Sequence, residues 1–158
     1  MEKQSVFSIG EVLASEDGFA ITVKEDYRKA LTALEGFSHL NILWWADDFE
    51  SMEYRSITTV KKPYKKGPET IGVFATRSPL RPNPIAVSLI YIFRIDYEKG
   101  IIFTPYIDAH PGTPVLDIKP HQPSTDVTRS ASVPAWCSHW PESIEDSADF
   151  DWEAEFNF

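Results

Sequence analysis

The chain of 158 residues has little of what builds covalent, metal-bound or membrane-spanning structure. Its single cysteine, Cys137, excludes an internal disulfide and a cysteine-based zinc site. No apolar run approaches the roughly 20 residues that span a membrane, and no apolar signal core follows the N-terminus. No glycine-rich phosphate loop or dinucleotide fingerprint is present. We therefore expect a cytoplasmic protein that binds no metal and no membrane.

Charge is distributed unevenly along the chain. The net charge of −9 argues against a broad nucleic-acid surface. Five bases nevertheless share one stretch that contains no acid: Arg55, Lys61, Lys62, Lys65 and Lys66. This stretch is either a solvated face or, with Tyr54 and Tyr64, a contact for an RNA backbone.

The C-terminal tail has the opposite charge. Residues 142–158 carry seven acids, no base and four aromatic side chains, which are Phe150, Trp152, Phe156 and Phe158. Alternating acids and aromatics are typical of a solvated or weakly docked end. The alternative is a tail that masks a basic site or packs across a partner subunit.

Hydrophobic periodicity predicts a mainly β protein. We expect strands at 6–13, 18–23, 40–45, 54–60, 71–75, 85–95, 101–107 and 115–118. The run 85–95 alternates with a period of two over its whole length, so it is predicted as the longest strand. Helical spacing at 25–34, with Asp26 as the N-cap, predicts one short helix. Many short strands with few helices favour a small closed or nearly closed β-barrel with long loops.

Two arginines, Arg77 and Arg81, lie in a loop that Pro79, Pro82 and Pro84 stiffen. A guanidinium held in such a loop suits bidentate recognition of a carboxylate or phosphate. The loop is therefore either an anion-binding element or a proline-rich connection with solvated arginines.

Three runs together resemble the signature blocks of the TsaA-like family, which contains the tRNA methyltransferase O and VirR-type proteins. They are Leu34-Glu35-Gly36-Phe37-Ser38-His39, the run from Gly72 to Pro84, and the run from Gly112 to Pro120. The resemblance covers roughly residues 5 to 126. It implies a β-barrel domain at 1–126, followed by an irregular acidic and aromatic tail at 127–158 that packs on or near the barrel. It also implies S-adenosylmethionine as the cofactor and a homodimer.

The resemblance assigns candidate site residues position by position. Those implied to bind the cofactor are Asp47, Asp48, Arg77, Val87, Asp108, Ala109, His110, Pro111, Gly112 and Thr113. Arg77 would hold the methionine carboxylate, and Arg81 and Asn83 would meet the substrate. No catalytic side chain is identified. The chain departs from the family pattern in having Asp47-Asp48 in place of a His-Gln pair and Pro111 in place of an aspartate.

The function that the resemblance implies is methyl transfer from S-adenosylmethionine to the exocyclic nitrogen of threonylcarbamoyladenosine in tRNA, or to a related substrate. The alternative is a non-catalytic binding or regulatory protein that keeps the barrel and senses a nucleotide-like metabolite. Two features favour this alternative: the acidic charge balance, and the short acidic segment Ser15-Glu16-Asp17-Gly18 where the family's methyltransferases carry a proline-arginine-glutamine segment. The three blocks favour the enzyme.

Overall fold

A computed structural model describes residues 4–157, so Met1, Glu2 and Lys3 at the N-terminus and Phe158 of the tail lie outside the described residues. The chain forms two compact units. The first comprises Asn83–Val127 with the chain up to Ser51, and the second comprises Met52–Pro82 with the chain from Thr128 onward. Within residues 4–157, no helix is long and apolar enough to cross a bilayer.

The described residues form nine strands. They are β1 (Gly10–Ser15), β2 (Gly18–Val23), β3 (His39–Trp45), β4 (Thr59–Lys61), β5 (Thr70–Gly72), β6 (Ile85–Tyr91), β7 (Arg94–Asp96), β8 (Ile101–Thr104) and β9 (Pro114–Pro120). Seven of them form an antiparallel sheet in the first unit, in the order β6-β3-β9-β1-β2-β8-β7. The other two, β4 and β5, pair in the second unit. The mainly β prediction is confirmed.

The predicted barrel is not confirmed, because the sheet is open with β6 and β7 at its edges. These two strands were predicted as one long strand. The strand is interrupted at Ile92 and Phe93. The backbone N–H of Ile92 donates to Ser38 O at 2.9 Å, and that of Phe93 donates to Phe103 O at 3.2 Å. The chain thus passes from pairing with β3 to pairing with β8 while the apolar alternation continues, so the sequence pattern hides the break.

The core of the first unit is aliphatic. It is built on side chains that strand alternation points to one face, including Val12, Ile21, Leu40, Ile42 and Ile102, all fully buried. Each such side chain contributes about 1.5–3 kcal/mol by leaving water. This core fixes the strand ends from which the candidate site is built.

Helices are shorter and more numerous than predicted. The segment predicted as the single helix is a 3-10 helix, Glu25–Leu31, preceded by Lys24 as N-cap, so the assignment of that role to Asp26 is wrong. Four one-turn α-helices follow: α1 (Met52–Arg55), α2 (Pro123–Asp126), α3 (Ile144–Ser147) and α4 (Trp152–Glu155). The first of them replaces the start of the strand predicted at 54–60, because β-branched composition is a weak predictor without its sheet partners.

Aromatic packing organises the second unit. Tyr64 is buried and stacks on Trp136 at 5.2 Å between ring centroids, with Trp140 at 5.0 Å edge-on. The tail pairs with the basic stretch through the backbone, since Lys65 N–H donates to Glu155 O at 2.9 Å. Tyr64 therefore belongs to the core of this unit, and its predicted part in an RNA contact is wrong.

Candidate functional site

The turn at residues 108–113 is held to the sheet by backbone hydrogen bonds. Gly112 N–H donates to Val12 O at 2.7 Å, and Val12 N–H donates to Thr113 O at 3.0 Å. Gly112 has a φ of 94°, a conformation that side-chain-bearing residues avoid. Thr113 is buried, whereas Asp108, His110, Pro111 and Gly112 are exposed. The turn thus presents a polar edge from a fixed backbone.

A carboxylate from another segment meets this turn. Asp47 and Asp48 begin a 3-10 helix, Asp47–Phe49, directly after β3. The Nδ1 atom of His110 lies 3.4 Å from Oδ2 of Asp48, with the two side chains 86% and 68% exposed. When Asp48 accepts from Nδ1–H, the Nε2 atom of His110 is left as an acceptor. The exposed imidazole then presents a hydrogen-bond acceptor at the turn.

Strand order brings a third segment to the same end of the sheet. The end of β3 pairs with the start of β6 (Trp45 with Ile85) and with the start of β9 (Trp44 with Val115). Ala46 N–H donates to Pro84 O at 2.8 Å, next to Asn83. The structure thus brings Asp47, Asp48, Asn83 and the turn to one end of three adjacent strands. Val87 lies further along β6 with an exposed side chain.

Tyr106 lies just before the turn, and the pKa of its hydroxyl is raised. Desolvation by neighbouring protein atoms, followed by the charge of Asp108, raises the pKa of Tyr106 above 10.0. The group is therefore a neutral hydrogen-bond donor across the physiological pH range.

A cavity of about 380 Å³ adjoins the turn. Its lining includes Gly112 and Pro114 together with two cations that the sequence analysis missed, Lys24 and Arg28. The remaining lining residues are Ser8, Gly10, Glu11, Thr22 and Val23. Its volume falls in the range of small-molecule sites. Lys24 and Arg28 are four residues apart in the sequence, but only the fold places them beside Gly112.

The donor set of the cavity suits a ligand that carries a carboxylate. Lys24 Nζ donates to Ser8 O at 2.6 Å, and Arg28 Nη1 donates to Glu98 O at 3.2 Å. The Nε atom of Arg28 is buried, and within residues 4–157 it has no hydrogen-bond partner. A buried donor without a partner is unfavourable. S-adenosylmethionine carries a carboxylate, a sulfonium and an amine, so cations here and carboxylates at Asp48 and Asp108 fit it.

The arginine loop lies in the second unit and is organised by its own side chains. Thr76 Oγ1 donates to Val73 O at 2.9 Å, Ser78 N–H donates to Thr76 Oγ1 at 3.2 Å, and Leu80 N–H donates to Ser78 Oγ at 3.2 Å. Arg55 Nε donates to Pro82 O at 2.9 Å. Arg77 is exposed and has no hydrogen bond or ion pair within this unit as described. Its predicted role as a carboxylate ligand stays a prediction.

Residues 4–157 contain no cluster of three or more potential metal ligands. Among the described residues, no three histidine, cysteine or carboxylate side chains lie together as a metal site requires.

Comparison with known proteins identifies relatives of the chain. Residues 7–127 match the family model described as the tRNA-methyltransferase O N-terminal domain. A probable S-adenosyl-L-methionine-binding protein of Halobacterium salinarum is 34% identical over 100 residues, which are 63% of this chain and 73% of that protein. The tRNA (adenine(37)-N6)-methyltransferase of Escherichia coli is 40% identical over 106 residues, which are 66% of this chain and 44% of the enzyme.

Solved structures resemble the fold. A crystal structure of TrmO superposes with a TM-score of 0.62 at 26% identity, covering 84% of this chain and 61% of that one. TrmO from Pseudomonas aeruginosa gives a TM-score of 0.60 at 26% identity, covering 83% and 62%. The chain spans from under half to about three quarters of the length of the relatives it matches.

Proposed function

Because this chain belongs to the tRNA-methyltransferase O N-terminal-domain family, we propose that it is an S-adenosylmethionine-dependent methyltransferase that acts on tRNA. The observation that carries the proposal is the meeting of Asp47, Asp48, Asn83 and the 108–113 turn at one end of the sheet. The family match supports the class of reaction, and this arrangement supports the end of the sheet as the proposed site.

The cofactor is proposed to bind at the turn and the adjoining cavity. Gly112 leaves the backbone open to close approach, and the carboxylates of Asp48 and Asp108 attract the cationic sulfonium and amine. The methionine carboxylate has two candidate partners, which are Arg77 by resemblance and the Lys24–Arg28 pair by its position in the cavity. The bound cofactor supplies an electrophilic methyl group, and the protein orients the acceptor towards it and excludes water.

The proposed acceptor is the exocyclic nitrogen of an adenosine in tRNA. Relatives from Escherichia coli, Eikenella corrodens and mouse are named tRNA (adenine(37)-N6)-methyltransferases, which supports that atom as the target. The finer proposal is that the adenosine carries a threonylcarbamoyl group, with Arg81 and Asn83 as its contacts. A cytoplasmic location is proposed together with the tRNA substrate.

A homodimer is also proposed. Its support within the first unit is the edge strand β6, which exposes the apolar side chains of Ile85, Val87 and Tyr91 at alternate positions. An unpaired edge with an apolar face is typical of a subunit interface. Sedimentation equilibrium of the purified chain tests it, and a single monomeric species would refute it.

The methyltransferase proposal is tested by incubating the protein with S-adenosylmethionine and two matched tRNA samples, one carrying threonylcarbamoyladenosine and one lacking it. We expect N6-methylation of the modified sample and an equal amount of S-adenosylhomocysteine, both measured by mass spectrometry. Methylation of both samples would support the methyltransferase activity and refute the requirement for threonylcarbamoyladenosine. Cofactor binding without turnover in either sample would favour the non-catalytic alternative, as two archaeal relatives are named only for S-adenosylmethionine binding.

A further inference from the structure

An aromatic side chain in the arginine loop is left in solvent. Phe74 lies in a 3-10 turn, Val73–Ala75, between the buried Val73 and the exposed Ala75. Its side chain is 80% exposed, whereas the rings of Tyr64, Trp136, Trp140 and Trp152 in the same unit contact one another. Single exposed apolar residues are common in proteins, so exposure alone assigns nothing to Phe74.

The surroundings of Phe74 distinguish it from an incidental surface residue. The guanidinium of Arg81 lies over the ring, with its central carbon 5.9 Å from the ring centroid. The hydrogen bonds of Thr76 and Ser78 and the bond from Arg55 to Pro82 fix the loop that joins the two. Ring and guanidinium are therefore presented together from an ordered backbone, so little conformational entropy is lost when a ligand binds.

Charge supplies the second element. Residues 52–82 contain seven lysines and arginines but only two acids, in a chain whose net charge is −9. One of the acids, Glu69, lies 3.9 Å from Lys61. The segment that carries Phe74 is thus basic, and its Lys65 pairs through the backbone with Glu155 of the acidic tail. The lysines and arginines of the segment are the complement of a phosphate backbone.

We propose that Phe74 is a stacking platform for an unpaired nucleobase of tRNA. Arg81 and the other lysine and arginine side chains of residues 52–82 would hold the flanking phosphates. The inference rests on the proposed function, because tRNA is the nucleic acid that a methyltransferase of this family would engage. Proteins read single-stranded RNA by stacking splayed bases on aromatic rings and on arginine planes. Phe74 and Arg81 provide both surfaces in one place, whereas the ring of Tyr64 is unavailable because it is buried.

The test compares binding of three RNA probes by fluorescence anisotropy: unfractionated tRNA, a single-stranded oligonucleotide, and a fully paired duplex. Phe74→Ala is expected to bind tRNA and the single strand about 5- to 100-fold more weakly, with the duplex unchanged. Phe74→Trp should retain binding because it keeps a π face, and Phe74→Leu should resemble the alanine variant. Phe7→Ala is the matched control, because Phe7 of the first unit is 74% exposed.

Other outcomes overturn the inference. Unchanged affinity in Phe74→Ala, or full binding by Phe74→Leu, would show that no base stacks on the ring. An equal loss of S-adenosylmethionine affinity would place Phe74 in the cofactor site, and dissociation of an oligomer would place it in a subunit contact. If the wild type methylates tRNA while Phe74→Ala binds it normally, only this inference fails. If the wild type neither binds nor methylates tRNA, the proposed function fails as well.

Discussion

The 108–113 turn of the first unit leads into a signature block at Gly112, and the 73–82 loop of the second lies within another, yet they are built in different ways. The turn is fixed by backbone hydrogen bonds to β1 and presents Asp108 and His110, with Asp48 beside them. The loop is fixed by hydroxyl side chains and prolines and presents Arg77, Arg81 and Phe74.

The difference in charge suggests a difference in ligand. Carboxylates beside the turn favour a cationic sulfonium, whereas arginines and an open ring favour phosphates and bases. This contrast agrees with the proposals that the turn binds the cofactor and that Phe74 and Arg81 bind RNA. Arg77 is the one loop residue assigned to the cofactor, so it tests how far the two loops differ.

Arg77→Ala has the largest expected effect on cofactor affinity. Loss of a charge-assisted bond to the carboxylate should weaken S-adenosylmethionine binding about 10- to 100-fold, measured by calorimetry. The control is Arg129→Ala, which removes another exposed arginine of the same unit. Unchanged affinity in Arg77→Ala would leave Lys24 and Arg28 as the candidates for carboxylate binding. No residue of the 73–82 loop would then be assigned to the cofactor.

Gly112→Ala tests the turn and has an internal control in Gly36→Ala. The two glycines have φ values of 94° and 92°, and an added Cβ meets nothing within 4 Å at either position. Each substitution should therefore cost about 1 kcal/mol of stability through backbone strain, seen as a lower melting temperature. Only Gly112→Ala should also lower cofactor affinity, by about tenfold, because the strained backbone lines the cavity.

If both glycine variants lose the cofactor equally, the loss reflects general destabilisation. The turn would then have no specific part in binding.

Asp48→Asn tests the carboxylate at the turn. We expect S-adenosylmethionine to bind about three- to fivefold more weakly, because an exposed charge acts through screened solvent. S-adenosylhomocysteine has no sulfonium charge, so its affinity should change less. Asp17→Asn, an exposed acid in the β1–β2 hairpin, is the control. Equal losses for both ligands would mean that Asp48 acts by shape or hydrogen bonding alone.

Glu155→Gln tests the second unit without touching either ligand. Hydrogen bonds from His139 at 2.6 Å, and then from Trp140 at 3.1 Å, lower the pKa of Glu155 below 4.5. A lowered carboxylate pKa contributes stability above the ordinary value, and that contribution is lost as pH falls through the lowered value. The glutamine variant should therefore melt at a lower temperature at neutral pH and lose less stability on acidification.

Thermal melts from about pH 3 to pH 7 measure this effect. Glu153→Gln, an exposed acid of the same helix, is the control. A parallel pH dependence in wild type and Glu155→Gln would show that the carboxylate is not linked to folding. Cofactor affinity at neutral pH should be unchanged in both variants.

Local patterns predicted the strands but not how the chain changes partners. The alternation at 85–95 identified β6 correctly, yet the break at Ile92 and Phe93 depends on a hydrogen bond to the sequence-distant Ser38 and one to Phe103 on β8. The strand predicted from Tyr54 failed because propensity is overridden by tertiary context. The short helices of the tail were also missed, since one-turn helices have too few residues to show a period.

Some residues of the candidate site were predicted from the sequence, and others were found only in the structure. The resemblance to the family pointed to Asp48 and the 108–113 turn, and the structure joins them through His110. Lys24 and Arg28 were missed because the resemblance assigns neither of them to the site, and only the fold places them at the cavity. The exposure of Phe74 and the burial of Tyr64 were equally invisible, because both are aromatic residues in one basic segment.

The most direct measurement is a paired titration of wild type, Gly112→Ala and Phe74→Ala with S-adenosylmethionine and with tRNA. The account predicts opposite losses: Gly112→Ala loses cofactor affinity and keeps tRNA affinity, whereas Phe74→Ala keeps the cofactor and loses tRNA. Equal losses of both ligands in both variants would contradict the assignment of the two loops to different ligands.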